Sequence, residues 1–214
     1  FDDGRLIPDM VVPFDALKKL NATVDVDIGS FVMGDLHMRN IDLAVVLQDG
    51  VIDVRRASFD GHSGWLKGRA KLEPADGAGK ASLELVARNF NLGAWQLDPD
   101  VAMAGDLDLR LDSSGGDARA LAGNLNGIVF IDVRGGEIAK NRLVQSIYGD
   151  ILGEIFETIN PFYKSEPRTK FNCIIFPIEV VDGILSSVPN SFISTDKVRL
   201  ASKSSIDLKS EKIN

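Results

Sequence analysis

Histidine, cysteine and clustered carboxylates are the side chains from which a metal or hydrolytic site would be built, and this chain holds two histidines and one cysteine. His37 and His62 have no second His or Cys at ligand spacing, so neither begins a zinc set, and both are expected on hairpins or the surface. Gly61-His-Ser-Gly-Trp65 resembles a nucleophile elbow only superficially: its second Gly comes one position early and no strand-to-helix transition follows. Gly77-Ala-Gly-Lys-Ala81 lacks the Ser or Thr of a phosphate loop and has Pro74 where the first Gly is needed. Both read as turns. Asp25, Asp27, Asp35, Asp42 and Asp53 alternate with apolar residues, as on a wet strand face, and no window crowds oxygen ligands as a calcium loop requires. Trp95 is expected as an apolar anchor beneath a loop. The chain is therefore expected to be no enzyme and to hold neither metal nor cofactor.

What these residues are strung along is a series of alternating runs. Leu107, Leu109 and Leu111 alternate with Asp106, Asp108, Arg110 and Asp112, the period of a strand with one wet and one dry face. The strand is expected to end at Gly115-Gly116. Asp117 then caps one helical turn, Ala118 to Ala122, which Gly123 stops before a second extended run through Leu125, Ile128 and Phe130. Similar runs pass through Ala22, Val24, Val26 and Ile28, through Ile41, Leu43, Val45 and Leu47, and through Ala81, Leu83, Leu85 and Ala87. Asp49-Gly50, Gly135-Gly136 and Asp182-Gly183 each read as a tight antiparallel reversal. No residue period can be counted, so the element recurs without forming a solenoid repeat.

Two helices are predicted. Pro13 suits the first turn of a short one over Phe14 to Leu20, with Lys18 and Lys19 in its last turn. A longer amphipathic helix, about residues 139–160, is marked by Leu143, Ile147, Ile151, Ile155 and Ile159 at three- and four-residue spacings, and Pro161 terminates it. Charges at Asp150, Glu154 and Glu157 exclude a membrane span. The helix is expected to pack on the sheet, to plug the end of a groove, or to lie on a membrane surface, the last disfavoured by its partly acidic polar face.

The chain's 214 residues, 44% of them apolar, suffice for a sizeable buried face. A net charge of −7 and pI near 4.9 argue against nucleic acid and against an anionic membrane surface. Cys173, followed by Ile174, Ile175 and Phe176, is expected as a buried apolar thiol with no disulfide partner. A start at Phe1 and an end inside the alternating stretch Val198 to Leu208 are expected of a piece of a longer protein.

The order Ile7-Pro8, Pro13 to Leu20, strands leading to Asp49-Gly50, Gly64-Trp-Leu-Lys-Gly68, the Gly115 to Gly127 unit, and Asn172-Cys173 leading to Asp182-Gly183 resembles the AsmA-like family of Gram-negative envelope proteins, best from Leu20 to Gly136. The resemblance implies a periplasmic region tethered to the inner membrane by an anchor absent from this chain, related to bridge-like lipid-transfer proteins. The expected fold is mainly β, with long antiparallel twisted strands forming a curved groove or open half-barrel and one amphipathic helix packed on it. Residues 1–214 should form one continuous β-groove fragment with a soft boundary near 95–101. The implied function is non-enzymatic lipid transport in outer-membrane biogenesis, with a phospholipid or other acyl lipid held along an apolar sheet face. Residues assigned to that face or to the core are Val24, Val26, Ile41, Leu43, Val45, Leu83, Leu85, Leu107, Leu109 and Phe130, with Ile147, Ile151 and Ile155 from the helix. The alternative is a structural or assembly module that binds envelope proteins through a sheet edge or an apolar patch.

Overall fold

The computed structural model describes residues 7, 10–33, 36–61, 63–75, 78–91, 101–139, 168–196, 198–210 and 212–213. His62, Trp95, the 95–101 boundary up to residue 100 and the predicted long helix with Ile147, Ile151 and Ile155 lie outside them.

The alternating runs form one antiparallel sheet of thirteen strands among the described residues, open rather than closed into a barrel. Eight long strands follow one another as a meander: β1 (Ala22–Met33), β2 (Leu36–Gln48), β3 (Val51–Asp60), β4 (Trp65–Ala75), β5 (Ala78–Asn91), β6 (Val101–Gly115), β7 (Asn126–Ala139) and β8 (Arg168–Val181). At roughly 3.3 Å per residue, strands of 14 residues such as β5 and β8 are about 46 Å long. Beyond β8 the sheet forks. Its C-terminal half pairs with β9 (Ile184–Ser187), which continues to β12 (Ser205–Asp207) and β13 (Lys212–Ile213), while its N-terminal half pairs with β10 (Ser191–Thr195), followed by β11 (Arg199–Ser202).

Turn chemistry fixes one end of the sheet. Asp49 and Gly50 have φ of 52° and 83°, and Asp182 and Gly183 have 49° and 77°, the two consecutive positive values of a two-residue hairpin that suits the strands' twist. Gly135-Gly136 behaves differently. It does not reverse the chain; it lies inside β7, where the register against β6 slips between Met103 and Gly105. This is a bulge, with Gly135 at φ 73°, a left-handed conformation that costs glycine nothing.

That bulge belongs to a row. Register also slips beside Asn40 on β2 and Asn89 on β5, which have φ of 50° and 47°. Asn40, Asn89 and Gly135 each follow an arginine and lie near the sheet end opposite the two Asp-Gly turns. Side chains hold the bulges in place. Asn40 Nδ2 donates to Asp60 at 2.7 Å, the Asn89 N–H donates to Asp106 at 2.8 Å, and Arg88 donates to Asp108 at 2.7 Å and to the Leu107 carbonyl at 3.1 Å. Aligned bulges bend strands and increase twist, which is how an open sheet acquires groove curvature.

The two short helices sit at the Asp-Gly end. α1 (Phe14–Leu17) is shorter than the predicted Phe14 to Leu20, because the Lys19 and Leu20 N–H groups bond three residues back to Ala16 and Leu17 in tight turns. α2 (Ala118–Gly123) is the predicted unit: the Asp117 carboxylate accepts the Ala120 N–H at 2.7 Å.

Candidate functional site

In an antiparallel pair, directly opposed residues point to the same side of the sheet, so the register assigns each side chain to a face. One cross-strand row runs Val24, Val45, Val54, Ala70, Leu83, Leu111, Gly127, Val180, Leu185 and Ile206, and contains no polar side chain; the backbone of Ile213 on β13 continues its register. Its eleven strands, at roughly 4.8 Å apart, extend about 48 Å. The neighbouring row, Val26, Leu43, Ala57, Gly68, Leu85, Leu109, Val129 and Ile178, stays apolar until Ser187. A third, from Phe59 through Leu66, Ala87, Leu107 and Ile131 to Phe176, lies toward the bulges.

Among the described residues this face is only partly covered. Leu43, Val45, Leu85, Leu107 and Leu109 are half-buried, while Val24 is 46% and Leu83 39% exposed. Among the described residues the clustered core lies where the sheet forks, with Val133, Phe171 and Ile174 buried against Met103, Ile131, Phe176 and Ile193, while Ala87 and Val180 are buried singly. A single apolar sheet face of this extent, left partly open, is a surface that can take up hydrocarbon.

Glycines let the chain close the face at the Asp-Gly end. Gly79 shares the side of Ala81 and Leu83, and a Cβ there would lie 2.2 Å from Phe14 Cζ, so the Phe14 ring occupies the space a side chain would fill. Gly115, paired with Gly79, seats α2 in the same way, since its Cβ would lie 2.7 Å from Ala120 Cβ. The segment entering α1 is strapped to that unit: Val11 bridges to Asp117, the Val12 N–H donates to Gly116 and the Ala118 N–H donates to Met10. Ser113 Oγ donates to the Leu121 carbonyl, tying α2 to β6.

The other face is charged. Arg56 pairs with Asp42 at 2.9 Å and reaches Asp25 at 3.9 Å, Arg69 and Arg110 flank Glu84 at 2.7 and 3.9 Å, Arg88 holds Asp108 at 2.7 Å, and Arg134 holds Asp132 at 2.6 Å. Hydrogen bonding to Arg69 holds the Glu84 carboxyl below its ordinary range, and Lys71 does the same to Glu73. These pairs are exposed and add little stability; their main effect is to keep this face wet. A polar hollow of about 390 Å³ lined by Lys71, Lys80, Asp112 and Asn124 lies on this side, away from the apolar rows.

The register brings Val24, Val26, Ile41, Leu43, Val45, Leu83, Leu85, Leu107 and Leu109 to the apolar face together. Phe130 does not join them. It stands opposite Asp108 and Pro177 on the charged face, 39% exposed, whereas its chain neighbours Val129 and Ile131 face the apolar side. Sequence reading also passed over the floor residues Ile52, Val54, Leu66, Leu72, Phe176 and Ile178, though alternation with Asp53, Lys67, Lys71 and Glu179 marks their side. His37 is exposed on β2 opposite Val32. Cys173 is half-buried rather than buried, because it points to the charged face opposite Arg134 and Ser194. Among the described residues no group of His, Cys, Asp and Glu could hold a metal ion, and no helix is long and apolar enough to cross a membrane.

The sequence model of the AsmA family matches residues 9–189, which runs from the strap before α1 to the residues just before β10. The chain belongs to the AsmA family. No curated protein and no solved structure matches it. Membership suggests an envelope-associated, lipid-transport-related function, and the strapped end, the meander and the Asp-Gly turn after β8 all lie inside the matched region of this AsmA-family chain.

Proposed function

We propose that this AsmA-family chain is a non-enzymatic lipid-holding module of the periplasm, acting in lipid transport and outer-membrane biogenesis as part of a protein tethered to the inner membrane. The observation that carries the reading is the unbroken apolar row from Val24 to Ile206, buried at Val180 and partly open elsewhere, on a sheet whose opposite face is laced with ion pairs. Acyl chains lie across the strands on Leu43, Leu85, Leu109 and their neighbours. Phe14 and α2 close the groove at one end, and lipid headgroups remain in water.

Magnitudes favour reversible holding. Burying a methylene is worth about 0.8 kcal/mol, so a dozen contribute ~10 kcal/mol against an association cost of at least ~4, leaving at most ~6 kcal/mol, which corresponds to binding in the tens of micromolar or weaker. The test is lipid extraction and mass spectrometry on the purified folded chain, together with titration of a fluorescent fatty acid. Co-purified acyl lipid and saturable uptake, weakened by Leu85→Asp, are expected. No lipid and no saturable uptake, with the sheet intact by far-UV circular dichroism, would refute the reading.

A further inference from the structure

Among the described residues β1 has a neighbour on one side only. Among the described residues nothing pairs with the outer edge of Ala22–Met33, and every residue of the strand except Val26 is exposed. Such an edge offers a row of free backbone N–H and C=O groups, which proteins normally protect with charged side chains, Pro or a bulge. Of these β1 carries only Asp25 and Asp27: it contains no Lys, Arg or Pro, and its register with β2 runs from Ala22↔Leu47 to Met33↔Leu36 without a shift.

Charge on this edge specifies a neighbour. On the charged face several carboxylates meet a cation on an adjacent strand, as Glu84 meets Arg69 and Arg110, Asp108 meets Arg88, and Glu137 meets Lys170, and the opposed carboxylates Asp106 and Asp132 inside the sheet share the neighbourhood of Arg134. At the edge cations are scarcer. Asp27 stands directly opposite Asp42 and has no ion pair among the described residues, while Arg56, engaged with Asp42 at 2.9 Å, reaches Asp25 only at 3.9 Å. Like charges directly opposed across strands are destabilising, and a cation on the open side would relieve them. On the other face Val24 and Ile28 are 46% and 38% exposed, so the apolar floor reaches the edge unfinished.

We propose that the outer edge of β1 accepts an extended strand of a partner polypeptide with Lys or Arg beside Asp25 and Asp27 and apolar residues beside Val24, Val26 and Ile28. The strand adds backbone hydrogen bonds, neutralises the edge carboxylates and lengthens the apolar floor by one row. A second copy of β1 does not meet this description, because in every register the strand supplies no cation. The proposal stands whether or not the floor holds lipid.

The test uses the full chain and two nine-residue probe peptides, one alternating Val with Lys and the other Val with Glu. Backbone hydrogen exchange should show protection of residues 22–33 by the Lys peptide, which should bind about tenfold tighter than the Glu peptide in low salt. Asp25→Lys with Asp27→Lys should invert the preference, and Asp27→Asn, which keeps the fold with the least change, should weaken it. Equal binding of the two peptides, protection confined to other strands, or a preference unmoved by either variant would overturn the proposal. So would self-association of the free protein that protects β1.

Discussion

Leu109 and Phe130 sit on adjacent strands, both apolar, and a substitution to Asp at each separates the two faces of the sheet. Leu109 is half-buried between Leu85 and Val129 in the second apolar row. Truncating half of a leucine's burial costs about 1–1.5 kcal/mol, and placing an unpaired carboxylate among apolar neighbours adds about 1–3. Leu109→Asp should therefore cost about 2–4 kcal/mol, or roughly 4–16 °C in Tm at 2–4 °C per kcal/mol for a chain of this size. Phe130 is already 39% exposed, beside Pro177 and opposite Asp108, whose charge Arg88 meets at 2.7 Å. Phe130→Asp loses part of a ring's contacts and gains a solvated charge opposite Asp108, which should cost about 1–2 kcal/mol and about 2–8 °C. Asp108→Asn, which removes one exposed ion pair, should cost under about 1 kcal/mol. Thermal melts of the three variants by circular dichroism in one buffer decide the matter. A Phe130→Asp melting temperature at or below that of Leu109→Asp would refute the face assignment.

Gly79→Ala should displace the Phe14 ring, and Phe14→Ala should restore much of the loss, giving a coupling of about 0.5–3 kcal/mol in a double-mutant cycle by urea unfolding; additive effects would deny the contact. Asp117→Ala removes the carboxylate that accepts the Ala120 N–H and should lower stability by about 1 kcal/mol, with Asp117→Asn close to neutral. The Glu84 carboxyl, held below its ordinary range by hydrogen bonding to Arg69, favours the folded state while ionised. That contribution is present above the unfolded glutamate value of about 4.3 and is lost as pH falls through the lower folded one, so urea midpoints should drop on acidification and Glu84→Gln should flatten part of the drop; an unchanged pH profile in that variant would contradict it.

Alternation was readable where the two faces differ in chemistry. Leu107, Leu109 and Leu111 against Asp106, Asp108 and Arg110 leave no doubt about side, and Asp49-Gly50 and Asp182-Gly183 specify reversals through consecutive positive φ. β7 is where the pattern fails, because Ile128, Val129, Phe130 and Ile131 are apolar on both sides. The clue lay further along: Asp132 and Arg134 share the parity of Phe130 and mark its side as the charged one. Gly135-Gly136 could not be told from a reversal, since a bulge is defined by the partner strand, and the slip appears only against Met103 and Gly105. The role of Gly79 was equally hidden. Local sequence places it beside a turn, while its function is set by Phe14, which arrives from far along the chain.

The contrast between the fork and the meander links stability to availability. At the fork, Val133, Phe171 and Ile174 are buried, as in an ordinary core. Along the rest of the meander most apolar floor residues stop at half-burial, Ala87 and Val180 excepted, and touch their neighbours on adjacent strands. Backbone ladders and cross-strand contacts therefore hold the meander together, and the apolar area left over is not needed to keep it folded. Covering that area with any hydrocarbon releases free energy in proportion to the area removed from water, with little dependence on the shape of the ligand. A charged hollow or a catalytic cluster would impose a geometry on its ligand, whereas this floor asks only for length and apolarity. The same economy explains the glycine seats, which let Phe14 and α2 end the floor without raising a wall of bulky side chains across it.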